Sequence, residues 1–143
     1  MASSGDGAAA RFAARRRPRL MRIDDPSDVI RRWADQVAAG DIDGLAPLYD
    51  PDVALATGNG ADVVRGVPAV LEAWRSFSGA TFVVECAVAF VSGDTAMTHN
   101  RCRVTLPTGD VIEGVGVEVL RRDPDAGWLY LICNPYGTTL VSS

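Results

Sequence analysis

The chain has no lysine, a single histidine, His99, and only three cysteines, Cys86, Cys102 and Cys133, among 143 residues. Each scarcity removes a class of function. Without lysine, the turn Thr57-Gly58-Asn59-Gly60 lacks the residue that a phosphate-binding loop requires. Three cysteines with no C-x-x-C pair, beside one histidine, make neither a disulfide framework nor a zinc site. Their odd number and scatter fit a reducing, cytoplasmic setting. No apolar run approaches the roughly 20 residues of a membrane span; stretches such as Val115 to Leu120 are strand-length and broken by glycine or glutamate. Positive charge is also short beyond the N-terminus. Six of the fourteen arginines precede Ile23, and from there onward eight arginines face seventeen acids. A globule with that balance repels phosphate backbones, which argues against a nucleic-acid partner. The arginine-rich leader has no apolar segment of the kind a secretory signal needs, so residues 1–22 are expected to be a disordered extension and 23–143 one folded domain.

What is present suits a single core, with 48% apolar residues. Asp25-Pro26-Ser27-Asp28 is a helix start, and Val29, Ile30, Trp33 and Val37 recur at helical spacing until Gly40. A second, short helix is expected from Asp41 to Tyr49, a strand over Val53 to Thr57, and a third helix with Val70, Leu71, Trp74 and Phe77 on one face. Beyond Gly79 the period becomes two. Four strands follow, over 81–91, 95–106, 111–122 and 128–136, separated by Gly, Pro and Asp turns short enough to imply an antiparallel meander. Helices first and strands afterwards predict an α+β domain, with three helices covering one face of a bent, mainly antiparallel sheet.

That order of elements, with Ala39-Gly40-Asp41-Ile42-Asp43, Leu48-Tyr49-Asp50-Pro51-Asp52-Val53, Arg65-Gly66, Trp74 and the terminal stretch from Trp128 to Gly137, resembles the NTF2-like superfamily of cone-shaped domains. The similarity is to its SnoaL-like members and, more distantly, to ketosteroid isomerases. Aligned without gaps on the Gly-Asp-Ile step, the resemblance places the isomerases' tyrosine donor on Trp33, their aspartate base on Thr57 and their second donor on Val115. Threonine is no base at neutral pH and valine donates nothing, so that chemistry is not expected at those positions.

The resemblance also sets which strand positions face the cavity. The inward set includes Thr98, Asn100 and Cys102 on the second long strand, Glu113, Val115 and Val117 on the third, and Tyr130, Ile132, Asn134 and Tyr136 on the last. His99, Arg101, Arg103 and Glu118 point out. The expected ligand site therefore has Trp33, Trp74, Val115, Val117 and Ile132 as apolar walls, with Thr57, Thr98, Asn100, Cys102, Asn134 and Tyr136 as further contacts. The duller readings are that the tryptophans are core and the asparagines satisfy backbone groups. Glu113 is the one inward strand carboxylate on this reading, and so the candidate catalytic residue; its alternative is a solvated place at the rim. No cofactor or metal is implied. The expectation is a small apolar or cyclic, polyketide- or steroid-like ligand, held by a binding protein or turned over by an isomerase or cyclase. The alternative is a noncatalytic dimeric module whose cavity is filled by side chains. Leu129 and Leu131 fall outward, and the resemblance implies a homodimer through the outer sheet face that also involves His99 and Arg101.

Overall fold

A computed structural model describes residues 22–137. The expected extension lies outside the described residues except for Arg22, which pairs with Asp24 and donates to the Pro124 carbonyl. Asp25 caps a 3-10 turn over Pro26–Asp28 by accepting from the Ser27 amide, and α1 (Val29–Ala38) continues from it. The chain turns at Gly40, where φ is +74°. The second expected helix is a 3-10 segment, Asp43–Leu48, because Pro47 withholds the amide that an α-helix needs. β1 (Tyr49–Thr57) then begins four residues earlier than the sequence suggests. It forms a hairpin with β2 (Asp62–Arg65), a short strand not expected from the sequence. Next come α2 (Val67–Trp74) and the four long strands β3 (Thr81–Ser92), β4 (Thr95–Thr105), β5 (Val111–Asp123) and β6 (Gly127–Asn134).

The six strands form one sheet in the order β2-β1-β6-β5-β4-β3, antiparallel throughout except where β1 meets β6. The α+β expectation holds. α1 packs on β3 and β6, and α2 on β1, so the helices share one face of the sheet. Between helices and sheet lies a core that includes Val29, Val37, Leu45, Val53, Val70 and Leu120. On the other face, Asp50 takes two hydrogen bonds from Arg121 at 2.9 and 2.7 Å, fastening the start of β1 near β5. Among the described residues no helix is long and apolar enough to cross a membrane.

Two expectations of strand parity fail for identifiable reasons. β4 alternates as read, with Thr98, Asn100, Cys102 and Val104 inward and His99, Arg101 and Arg103 outward. Its register with β5 sets Thr98 opposite Glu118, Asn100 opposite Gly116 and Cys102 opposite Gly114. Directly opposed residues share a face, so the inward set of β5 is Gly114, Gly116 and Glu118, while Glu113, Val115 and Val117 point out. In β6, a bulge at Leu131 puts one extra residue between Tyr130 and Ile132. The bulge reverses the alternation, turning Cys133 inward and Ile132 outward. The outer face consequently bears exposed Phe90, Met97, Val115 and Ile132. Leu129, expected there, is only 2% exposed.

Candidate functional site

Helices and inner sheet face enclose a cavity of about 450 Å³ that side chains leave unfilled, unlike the filled interior of the interaction-module alternative. On the helix side, α1 contributes Trp33 and α2 contributes Trp74, with Phe77 just beyond it. Trp33 meets Trp74 and Phe82 edge-on, with ring centroids 4.8 and 4.7 Å apart. Such contacts lock the indole plane. Trp33 Nε1 donates to the Tyr49 hydroxyl at 2.8 Å, so this tryptophan is both core and cavity wall. Trp74 Nε1 is buried without a hydrogen-bond partner. It lies near the Tyr49 hydroxyl, whose raised proton affinity it partly offsets.

On the sheet side the polar centre is Glu118. Thr98 Oγ1 and Asn100 Nδ2 both donate to its Oε2, at 2.9 and 2.8 Å. The Asn100 amide is oriented in turn by the Cys102 thiol on its Oδ1 at 3.4 Å. Burial pushes the carboxyl up to about 7, against the two hydrogen bonds that hold it down. Among the described residues no cation answers it, since every arginine of β4 and β5 points away from the cavity or lies outside its lining. Glu118 therefore exchanges its proton near neutrality, as a general acid or base must.

The buried tyrosines and thiols of the lining, Tyr49, Tyr130, Cys102 and Cys133, stay protonated. Burial, and secondarily Cys133, raises Tyr49 well above its ordinary value, against the Trp33 hydrogen bond. Burial and then Glu118 do the same to Tyr130. Cys102 is pushed up to about 11 by burial, and Cys133 well above its usual value by burial and Glu118. Thiols so disfavoured as thiolates are not nucleophiles. The site thus offers one proton-exchanging carboxyl, neutral hydroxyl and indole donors, and apolar walls. Among the described residues no group of three or more metal-ligating side chains occurs.

Of the residues singled out from sequence, Trp33, Thr57, Trp74, Asn100, Cys102 and Tyr136 line the cavity. Thr98 does not, but it holds Glu118. Val115, Val117 and Ile132 lie on the opposite face of the sheet, with Val115 47% and Ile132 49% exposed. Asn134 is committed to its own turn, donating to the Gly137 carbonyl and accepting from the Tyr136 amide. Glu113 sits at the mouth with its side chain 68% exposed, beside Arg103 at 3.7 Å, which is the rim position and not that of a buried proton shuttle. Tyr130 faces the cavity as expected, whereas Glu118, expected outward, and Tyr49, expected on a helix, join the lining against expectation. Thr98 and Asn100 on β4, once paired across the short turn at 107–110, were the signal that pointed to Glu118.

Residues 30–128 match the SnoaL-like domain family. A steroid Delta-isomerase from Nocardioides simplex is 37% identical over 98 residues, covering 66% of this chain and 77% of that protein. Among solved structures, an NTF2-like protein with a cystatin-like fold from Novosphingobium aromaticivorans superposes with a TM-score of 0.64 at 22% identity, over 89% of this chain and 85% of the other. An NTF2-like protein from Pseudomonas putida gives 0.64 at 20% identity, over 75% and 80%. At those identities the structural likeness speaks for the fold.

Proposed function

The chain belongs to the SnoaL-like domain family, and on that premise we propose that it is an acid–base catalyst of isomerase type, moving a proton on an apolar, enolisable carbonyl compound with Glu118 as the shuttle. The observation that carries this reading is the buried carboxyl of Glu118, raised by that burial to about 7, in a mostly apolar cavity. The steroid Delta-isomerase relative supports the reaction type. A carbonyl oxygen seated against the Tyr49 O–H and Trp74 Nε1–H gives both donors an acceptor. The Glu118 carboxylate then takes a proton from the α carbon, and the enolate charge rests on the oxygen those donors hold. In a β,γ-unsaturated ketone the carboxyl returns its proton to the γ carbon, and the double bond moves into conjugation. The test is isomerisation of a β,γ-unsaturated cyclic ketone, followed by the ultraviolet absorbance of the conjugated product, with the wild-type protein and Glu118→Gln. Turnover by wild type and its loss in the variant is the expected result; equal turnover by both would refute the assignment.

Trp74→Phe keeps a ring in the wall and removes the N–H. One net hydrogen bond is worth about 0.5–1.5 kcal/mol, so ketone affinity should fall about 2- to 10-fold in a fluorescence titration. Unchanged affinity would remove Trp74 from this role.

The exposed apolar residues Phe90, Met97, Val115 and Ile132 of the outer sheet face support a second proposal, that two copies pair through it. Sedimentation at micromolar concentration should give the dimer mass, and a monomer would contradict it.

A further inference from the structure

β5 carries two glycines on its cavity face, Gly114 and Gly116, and both line the cavity. Neither has a positive φ, so neither is there for backbone freedom. Glycine in a strand interior weakens the strand, and its recurrent purpose there is to let something approach the backbone closely. The two glycines make room for different things. A Cβ on Gly116 would meet Glu118 Oε1 at 2.6 Å and the Asn100 amide at 3.1 and 3.2 Å. That gap is filled by the protein: it lets Glu118 fold back along its own strand to reach Thr98 and Asn100. A Cβ on Gly114 would meet nothing within 4 Å. The space above Gly114 is therefore left open by the protein, on the same strand face as Glu118 and four residues away from it towards the mouth.

We propose that Gly114 is the residue that sets how long a ligand the site accepts. The inference rests on reading the cavity as a ketone site. With the carbonyl end held near Glu118, the backbone at Gly114 is the floor on which further apolar rings lie, opposite the aromatic wall of Trp33 and Trp74. A single-ring ketone ends before this floor; a fused-ring ketone needs it. The ligand class is thus a flat, multi-ring carbonyl compound, and side-chain bulk at position 114 converts the site into one for single rings.

The experiment titrates cyclohex-2-enone and a four-ring steroid enone into wild type, Gly114→Ala and Gly114→Val, following the fluorescence of the tryptophans. Thermal melting of each variant shows that it is folded, and Gly114→Ala serves should the valine variant not fold. Wild type is expected to bind the steroid enone more tightly than the single ring. Gly114→Val should weaken the steroid enone at least tenfold, and Gly114→Ala about threefold, with the single-ring ketone within twofold of wild type in both. If wild type binds the steroid enone and the folded variants bind it equally well, the role of Gly114 is refuted while the ketone site stands. If wild type binds neither compound, both the role and the ketone reading fall.

Discussion

Glu118→Gln is expected to slow ketone isomerisation by about 10²- to 10⁴-fold, the range that a positioned general acid or base supplies. Glutamine keeps the shape and can still meet Thr98 and Asn100, but it cannot take up a proton. Ketone affinity should stay within a few-fold of wild type, so the loss appears in kcat and not KM, as befits a group whose interaction changes only on the way to the transition state. The wild-type rate should rise with pH through a midpoint near 7, because the reaction starts from the carboxylate whose proton affinity burial has raised to about that value. Glu113→Gln makes the contrast. Its carboxyl stands in solvent beside Arg103, and activity should remain within about twofold of wild type, surface changes of this kind being energetically small. Equal losses in the two variants would mean that burial is not what equips Glu118.

The second large effect is on stability. Glu118 titrates near 4.5 in an unpaired chain and near 7 when folded. Between those values the folded protein holds a proton that the unfolded chain has released. The contribution of Glu118 to stability is therefore greatest below the unfolded value, falls as pH rises through the window, and levels off above 7. The shift corresponds to a loss on the order of 3 kcal/mol, and for a domain of this size to a fall in melting temperature of roughly 10 °C between pH 5 and 8.5. Glu118→Gln removes the titration. Its melting temperature should change little across that interval and should exceed wild type at pH 8.5, a trade of stability for function at a buried acid. Differential scanning calorimetry at several pH values measures both, and a wild-type protein that melts alike at pH 5 and 8.5 would contradict the raised value.

The fold was legible where local chemistry and burial agree. Asp25 before Pro26 caps as expected, β4 alternates as read, and each turn carries the residues its geometry requires. β5 misleads because its two faces reverse the usual pattern. Valines line the outer face, while the cavity face bears glycine, glycine and glutamate, since a site needs space and a carboxyl more than packing. Counting across the turn at 107–110 gives the right answer, because Thr105 opposite Val111 brings Thr98 opposite Glu118. The bulge at Leu131 leaves no sequence mark, so the inward turn of Cys133 was out of reach. The spacing of Ile42, Leu45, Leu48 and Tyr49 predicts a helix, and only the early start of β1 turns Tyr49 toward Trp33. The resemblance to ketosteroid isomerases places Trp33 and Thr57 at the cavity, as the structure has them, but it reverses the parity of β5 and so hides the acid there.

The raised proton affinity of Glu118 underlies both the catalytic reading and the pH dependence of stability. It is measured directly by labelling glutamate side chains with ¹³C and following the Glu118 carboxyl resonance, assigned by its absence from Glu118→Gln, as pH is varied from 4 to 9. A midpoint near 7 is the expected result. A midpoint between 4 and 5 would show an ordinary solvated carboxylate and would contradict the acid–base role given to this residue.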